Sequence, residues 1–244
     1  MPVGILCNHF WRWRAALTNK MEKAKASMNN NTPQARGVFI VFEGIDGSGK
    51  GTQILRAAKL VLEENRDNDV YITHEPTSHF QELKSALKND AVMPGKQRAW
   101  WYARMFVTDR RFHVEKYVLP ALEKGVHVLC DRYKYSTLAY QMAQGLDFDE
   151  LLALQHGLPV PDLVIMLDCP GDVGHKRRAA AGALDSFDKD PVFLEQVRKR
   201  YLEISRMEAL QAENIVVVDA SQDVEKVFAE VSKAVRRCLE NKKK

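Results

Sequence analysis

The chain has 244 residues, 45% of them hydrophobic, so it can fill the core of one ordinary domain and is not globally disordered. Its formal net charge is +4 at pH 7, but residues 1–36 carry a net +5 and residues 236–244 a net +4, which leaves −5 on the remainder. A mildly acidic body gives no support to a nucleic-acid-binding surface, and no apolar run approaches the roughly 18 residues of a membrane span.

Residues 1–36 differ in composition from everything that follows. They are basic, carry two tryptophans near the start and become polar around residues 29–31, without the apolar stretch of a secretory signal. We predict a disordered leader here, with a mitochondrial targeting segment as the alternative. The four cysteines form no C-x-x-C pair, which favours a reducing compartment. We therefore expect a cytoplasmic protein, or a mitochondrial one if the leader directs import.

From residue 37 to about residue 240, short apolar runs alternate with helical patterns. The runs predict strands at 37–43, 69–73, 126–130, 163–167 and 214–218. The patterns between them predict helices at about 50–65, 80–89, 96–123, 134–143, 148–156, 171–181, 191–212 and 222–238. Strands that are apolar throughout are buried on both faces, so this order predicts one α/β domain whose parallel sheet is covered by helices on both sides.

A glycine-rich segment joins the first predicted strand to the first predicted helix. Its residues are Gly44, Ile45, Asp46, Gly47, Ser48, Gly49, Lys50, Gly51 and Thr52. Glycines let successive backbone N–H groups converge on a phosphate, the helix N-terminus adds partial positive charge, and Lys50 supplies a cation for the β- and γ-phosphates. The segment predicts a P-loop that binds ATP, and the alternative is a glycine-rich turn without a ligand.

The P-loop departs from the general pattern G-x-x-x-x-G-K-[ST]. Gly51 follows Lys50, and the hydroxyl comes one residue later at Thr52, so a direct Mg²⁺ ligand from the loop is not expected. The run G-S-G-K-G-T-Q resembles adenylate kinases, which hold Mg²⁺ mainly through phosphate oxygens and water. Asp131, at the end of an apolar strand, and Asp46 are the predicted metal residues, acting through water. For Asp131 the alternative is a carboxylate that caps the next turn.

Four motifs in order carry a resemblance to thymidylate kinases. They are E-G-I-D-G-S-G-K in the P-loop, T-H-E-P-T at 73–77, F-x-x-D-R-x-x-H at 106–113 with L-P-A-L at 119–122, and D-R-Y-x-x-S-x-x-A-Y-Q at 131–141. The resemblance covers about residues 37–237. It implies a P-loop three-layer αβα fold with a five-stranded parallel sheet and a small helical lid. It also implies ATP and Mg²⁺ as cofactors, and a homodimer packed through the long helix at 96–123.

The residue types at the matched positions suit thymidine monophosphate. Phe106 and Arg110 are i and i+4 on one helix, so an aromatic ring and a guanidinium share a face. The resemblance implies that Arg132 holds the acceptor phosphate and that Tyr140 lies beneath the deoxyribose. Taken singly, Phe106 could be a core residue, Arg110 a surface ion pair and Tyr140 helix packing, but their joint pattern favours ligand binding. The remaining substrate-binding residues implied are Glu75, Pro76, Ser136 and Gln141, and the catalytic residues are Asp46, Lys50 and Arg132.

The predicted lid, at about residues 176–190, departs from the family. Thymidylate kinases without a P-loop arginine typically have a lid that reads R-G-x-L-D-R-x-E, but this chain has Ala181 and Ser186 in place of the arginines. Arg177 and Arg178 are the predicted lid residues, and a solvated basic helix face is the alternative for both. His74 is a second departure, since it stands where the family's T-R-E-P motif has arginine.

The sequence thus predicts an ATP-dependent kinase that converts dTMP to dTDP in dTTP biosynthesis. Its expected partners are small-molecule substrates and a second copy of the chain, without nucleic acid or membrane. Another nucleoside monophosphate kinase, of adenylate or cytidylate specificity, is one alternative. A catalytically weak nucleotide-binding protein is a second, because the expected lid arginines are missing. A third makes the basic chain ends an RNA-binding or membrane-surface module, which only their charge supports.

Overall fold

The computed structural model describes residues 35–89, 95–180 and 190–242, and Arg36–Lys244 forms one compact unit. The predicted leader lies outside the described residues, apart from its last two. Residues 181–189 of the predicted lid, which include Ala181 and Ser186, also lie outside them.

Five parallel strands form the centre of this unit. They are β1 (Phe39–Glu43), β2 (Val70–His74), β3 (His127–Asp131), β4 (Leu163–Asp168) and β5 (Ile215–Asp219), in the order β2-β3-β1-β4-β5. Every residue of the central strand β1 is buried, because helices cover both faces of the sheet. The predicted α/β class and all five predicted strands are confirmed, with strand ends shifted by at most two residues.

Helices precede and follow the strands in the predicted order. They are α1 (Lys50–Glu64), α2 (Gln81–Asn89), α3 (Gly95–His113), α4 (Leu119–Glu123), α5 (Lys134–Ala143), α6 (Phe148–Leu154), α7 (Gly171–Ala180), α8 (Pro191–Ile204) and α9 (Val224–Asn241). Aspartates at the N-caps of α6, α8 and α9 accept backbone N–H groups of the first turn, which fixes where these helices begin. Within the described ranges, no helix is long and apolar enough to cross a membrane.

The helix predicted at 96–123 is three helical segments in succession. A π-helical turn, Val114–Val118, separates α3 from α4, and the Leu119 N–H donates to the carbonyl of Val114, five residues back. Pro120 explains the change, because it has no N–H for the carbonyl four residues earlier and its ring would collide with that carbonyl in a regular α-helix. The wider turn removes both conflicts.

The predicted helix at 191–212 is wrong beyond Ile204. The chain tightens there, with the Arg206 N–H donating to the Glu203 carbonyl, and a short 3₁₀-helix follows at Glu208–Leu210. Ile204 and Leu210 are both buried. A straight helix would place residues six apart about 120° from each other around its axis, so it could not bury both against one surface.

The carboxyl ends of β1, β2 and β3 meet at one edge of the sheet. The register places Phe42 and His74 opposite Asp131, so the residues that follow these three strands emerge side by side. Ligands bind at this edge in open α/β sheets. The P-loop and the T-H-E-P and D-R-Y motifs all begin here.

Candidate functional site

The P-loop turns from β1 into α1 and packs against α7. Gly47 has φ 79°, which favours glycine, and a Cβ added there would lie 2.2 Å from the carbonyl oxygen of Gly174 in α7. Gly49, with φ 92°, is the N-cap of α1 and supplies no side-chain cap. The first N–H groups of this 15-residue helix are therefore placed to receive an anion.

Lys50 is buried at the start of α1 and is held by the loop itself. Its Nζ donates to the carbonyl oxygens of Gly44 at 3.1 Å and Ile45 at 3.0 Å, and lies 3.8 Å from Asp46 Oδ1. Burial and the charge of Arg132 lower the pKa of Lys50, while Asp46 opposes the shift. A phosphate oxygen would compete with these carbonyls for the ammonium protons.

An ion pair between Asp46 and Arg132 joins the P-loop to the D-R-Y segment. Arg132 Nη2 donates to Asp46 Oδ2 at 2.6 Å, and the Tyr140 hydroxyl donates to the same oxygen at 3.2 Å. The guanidinium carbon lies 5.2 Å from the centroid of the Tyr140 ring. Burial raises the pKa of Asp46, but the charges of Arg132 and Lys50, with a contribution from Arg178, outweigh it and hold the pKa below its usual range.

Arg132 adopts an unusual backbone conformation for a non-glycine residue, with φ 68°. Its Nη1 donates to Ser136 Oγ at 2.9 Å and to the Tyr201 hydroxyl at 3.4 Å. The Ser136 hydroxyl, predicted to contact the base or sugar, is therefore engaged by the protein.

Glu43, the last residue of β1, is a fully buried carboxylate that the sequence analysis missed. Its Oε1 accepts the backbone N–H groups of Tyr133 at 2.7 Å and Ser136 at 3.2 Å, and its Oε2 accepts the hydroxyls of Ser136 at 2.6 Å and Tyr201 at 3.0 Å. Burial raises the pKa of Glu43, and its hydrogen bonds and Arg132 offset this only in part. An acid at the end of an otherwise apolar strand was the available signal.

One cavity opens beside the Asp46–Arg132 pair at the carboxyl edge of the sheet. Every predicted substrate-binding residue lines it, together with Leu87, Thr137 and the P-loop aspartate. The predicted lining residues are Asp46, Glu75, Pro76, Phe106, Arg110, Arg132, Ser136, Tyr140 and Gln141. Leu87 and Thr137 carried no sequence signal that distinguished them from core residues of their helices.

Arg110 lines this cavity from a buried position. Its Nε donates to Glu75 Oε2 at 2.6 Å, Nη1 to Gln155 Oε1 at 2.9 Å, and Nη2 to the Tyr133 carbonyl at 2.9 Å and Thr137 Oγ1 at 3.1 Å. Arginine has five N–H donors. Four are used in these bonds, so, counting contacts with the described residues, one N–H remains for a ligand. The surface ion pair considered for Arg110 is therefore wrong, because the pair it makes, with Glu75, is buried.

Glu75 is also hydrogen-bonded to His113, whose Nδ1 lies 3.0 Å from Glu75 Oε1. The other ring nitrogen of His113 lies 2.7 Å from Thr73 Oγ1. His74 is exposed at the end of β2 and does not line the cavity. The chain Thr73–His113–Glu75–Arg110 therefore fixes the T-H-E-P segment to α3.

Three buried polar atoms near the site have no hydrogen-bond partner within the described part of the chain. They are Ser48 Oγ in the P-loop, Asp131 Oδ1 at the end of β3 and Gln141 Oε1 beside the cavity. An unpaired buried oxygen is costly unless a ligand or water satisfies it. Asp131 Oδ1 and the carboxylate of Asp46 are hard oxygen donors of the kind that Mg²⁺ prefers, so the residues at this edge of the P-loop fit a Mg²⁺ ion.

The two predicted lid arginines differ in what they contact. Arg177 Nη1 donates to the carbonyl of Ala220, after β5, at 3.1 Å and to that of Gly47 at 3.3 Å. Arg178 contributes positive charge that lowers the pKa of Asp46. Arg177 is exposed on the helix surface, yet its guanidinium contacts the backbone on both sides and so ties α7 to the P-loop.

A P-loop between strand and helix, next to an arginine- and aromatic-lined cavity at the same sheet edge, defines a P-loop nucleotide-binding protein. The model of the thymidylate kinase family matches residues 42–231. The probable thymidylate kinase of Pyrococcus abyssi is 41% identical over 209 residues, which cover 84% of this chain and 98% of that protein. The thymidylate kinase of Caulobacter vibrioides is 37% identical over 210 residues, which cover 82% and 96%. The chain belongs to the thymidylate kinase family, as the motifs predicted.

Proposed function

We propose that this chain transfers the γ-phosphoryl group of ATP to dTMP, forming ADP and dTDP. Family membership supports the reaction, and one observation carries the assignment of the residues. The P-loop aspartate, Asp46, lines the cavity together with Phe106, Arg110 and Tyr140. A donor phosphate on the P-loop and an acceptor in this cavity would therefore meet at the Asp46–Arg132 pair.

On the donor side, the N–H groups at the start of α1 and the Lys50 ammonium bind the phosphates of ATP. Lys50 is already placed by Gly44 and Ile45, so little rearrangement is needed when a phosphate replaces the carbonyl oxygens. The reaction has no covalent enzyme intermediate, and the residues act by position and charge.

On the acceptor side, the aromatic ring of Phe106 stacks on the thymine base and the last free N–H of Arg110 donates to a base carbonyl. Arg132 exchanges its bond with Asp46 for the acceptor phosphate, to which its planar guanidinium can donate two hydrogen bonds. Gln141 Oε1, which is buried without a partner in the described chain, accepts a hydrogen bond from the substrate.

Asp46 and Asp131 would hold Mg²⁺ through water, and the ion supplies positive charge to the phosphate oxygens when it is bound. Arg178 is the lid residue that we assign to the transferred phosphoryl group, because the other predicted lid arginine, Arg177, donates to the backbone carbonyls of Gly47 and Ala220. We assign Arg177 instead to holding α7 against the P-loop.

The test is phosphorylation of dTMP, dUMP, dCMP and AMP side by side, with ATP and Mg²⁺. We expect a clear preference for dTMP, because Phe106 and Arg110 line one cavity and a remaining Arg110 N–H suits a base carbonyl, which cytosine lacks at its 4-position, while adenine is a larger purine. Equal rates with the four acceptors would contradict the proposal.

We also propose a homodimer, formed through α3 and the π-helical turn. Aromatic side chains cluster there, with the His79 ring stacked 4.0 Å from that of Phe112, and Tyr117 is 45% exposed. Sedimentation of the 27.8 kDa chain should give twice that mass, and a monomer at micromolar concentration would contradict the proposal.

The buried free thiols of Cys130, Cys169 and Cys238 support a reducing compartment, which we propose is the cytoplasm.

A further inference from the structure

The mechanism above makes no use of the most buried carboxylate near the site. Glu43 is fully buried at the end of the central strand, yet it does not line the cavity. Burying a charge is costly unless hydrogen bonds compensate, and Glu43 receives four of them. All four come from the D-R-Y segment, the start of α5 and Tyr201.

The first role of these bonds is to cap α5. Its N-cap residue, Tyr133, makes no side-chain cap of its own. Glu43, at the end of strand β1, accepts hydrogen bonds from the backbone N–H groups of Tyr133 and Ser136. These bonds satisfy two donors at the N-terminus of α5, and the carboxylate complements the helix dipole. The residue immediately before this cap is Arg132, with its φ of 68°.

The second role is to place the Arg132 side chain. The hydroxyls of Ser136 and Tyr201 donate to Glu43 and accept from Arg132 Nη1, so each bridges the carboxylate to the guanidinium. The two hydroxyls are 2.8 Å apart. Tyr201 lies on α8, which follows the lid, so this contact also links α8 to the catalytic arginine.

We propose that Glu43 and Tyr201 are positioning residues that orient Arg132 toward the acceptor phosphate. The inference rests on the proposed function, since it assigns Arg132 to that phosphate. The hydroxyls of Ser136 and Tyr201 hold Nη1 in place. Nη2, which donates to Asp46, remains available to donate to the substrate phosphate instead. Misplacing such a group by about 1 Å can cost on the order of 100-fold in rate.

The test begins with Tyr201→Phe, which keeps the buried ring and removes only the hydroxyl. We expect kcat/KM for dTMP to fall on the order of 10- to 100-fold, with the KM for ATP unchanged. Tyr135→Phe is the matched control, because the Tyr135 hydroxyl also donates to a carboxylate, that of Glu213, but does not contact Arg132. It should leave kcat/KM for dTMP within about twofold of the wild type.

The same substitution is then made in an Arg132→Lys background. If Tyr201 acts through Arg132, removing its hydroxyl should reduce kcat/KM for dTMP only slightly further once the guanidinium is gone. A general structural defect would instead reduce kcat/KM by the same factor in both backgrounds. Glu43→Gln is the second variant and is used if Tyr201→Phe does not fold. We expect the same loss in kcat/KM for dTMP from it.

The outcomes separate the inference from the proposed function. A wild-type enzyme that does not phosphorylate dTMP would overturn both. An active wild type whose Tyr201→Phe variant keeps full kcat/KM, or whose losses add fully to those of Arg132→Lys, would overturn the inference alone.

Discussion

Each of three cations of the candidate site is held by a protein acceptor. Lys50 is bound to two loop carbonyls, Arg132 to Asp46 and Arg110 to Glu75. A cation that is already oriented needs little reorganisation to bind a phosphate or a base. At the scale of the residue, the proposed mechanism therefore assigns catalysis to groups that the fold already holds in position.

Replacing Lys50 tests this directly. Lys50→Met keeps the aliphatic stem but removes the cation, and we expect kcat to fall on the order of 100- to 1,000-fold with little change in the KM for dTMP. Lys59→Met is the control, because Lys59 lies on the same helix with its side chain 78% exposed. Steady-state kinetics with varied dTMP decide the matter, and full activity of Lys50→Met would refute the mechanism.

His127 gives a prediction on pH and stability. Its Nδ1 accepts the N–H of Val38 at 3.0 Å, so it must be unprotonated in the folded state. Burial lowers the pKa of His127 from 6.5, with partial opposition by Asp162. The unfolded chain therefore binds a proton more readily, and this contribution to stability is present above pH 6.5 and is lost as the pH falls below it.

His127→Asn should flatten that dependence, since an amide oxygen can accept the same N–H and does not titrate. Thermal unfolding between pH 5 and pH 8 should show the wild type losing melting temperature faster than the variant below pH 6.5. Parallel profiles for the two proteins would count against the assignment.

The residues of the cavity were predictable to the extent that they lie in contiguous motifs. Phe106, Arg110, Tyr140 and Gln141 sit at fixed spacings on two helices, and those helices face one cavity. Tyr201 could not be found in this way, because it comes from a helix distant in sequence and reads as an ordinary amphipathic position. Its bond to Arg132 exists only once the chain is folded.

Among elements, the contact between α7 and the P-loop is the tightest near the site. Gly174 and Gly47 approach so closely that neither has room for a Cβ, and Arg177 bonds the Gly47 carbonyl across the same junction. The helix α7, whose last turns belong to the predicted lid, is thus packed onto the loop by backbone contact. A movement of α7 would therefore displace the backbone of Asp46 directly, because no side chain lies between them.

Gly174→Ala should separate these two elements. Its Cβ would lie 2.6 Å from the Asp46 carbonyl oxygen and 2.8 Å from Ile45 Cδ1, so the loop or the helix must shift. We expect a loss of about 1–3 kcal/mol in unfolding free energy and a lower kcat/KM. Gly51→Ala, with nothing within 4 Å of its Cβ, should be neutral or stabilising. Equal melting temperatures for Gly174→Ala and the wild type would contradict the packing argument.

Strands were the most predictable elements, because a short run of apolar, mostly β-branched residues between charged or glycine-rich turns has few alternatives. The long helix was predicted at the right place but not in its form. Pro120 signals a break, yet the form of that break, a π-helical turn, also depends on the tertiary packing of its buried first and last residues, Val114 and Val118. The early end of α8 likewise follows from burying Leu210, which local pattern does not reveal.

Across the described part of the chain, the site and the contacts of Arg36 and Lys242 lie at opposite edges of the sheet. Asp162 precedes β4, at the amino-terminal edge, where it accepts the N–H of Phe39 at 2.8 Å and pairs with Arg36 at 3.3 Å and Lys242 at 2.8 Å. One carboxylate thus ties the first residues of the sheet to the last helix. The P-loop and the cavity are built at the other ends of the strands.

Stability and catalysis should therefore separate when Asp162 is replaced. Asp162→Ala leaves the buried N–H of Phe39 without an acceptor, which should cost about 1–3 kcal/mol of unfolding free energy, while the kinetic constants for dTMP and ATP stay within about twofold of the wild type. Glu225→Ala is the control, because its ion pair with Arg56, at 2.5 Å, is exposed and should matter by less than about 1 kcal/mol. Denaturant unfolding and steady-state kinetics on the same samples measure both effects. A large fall in kcat for Asp162→Ala at temperatures where it is fully folded would show that the two edges of the sheet are coupled, contrary to this prediction.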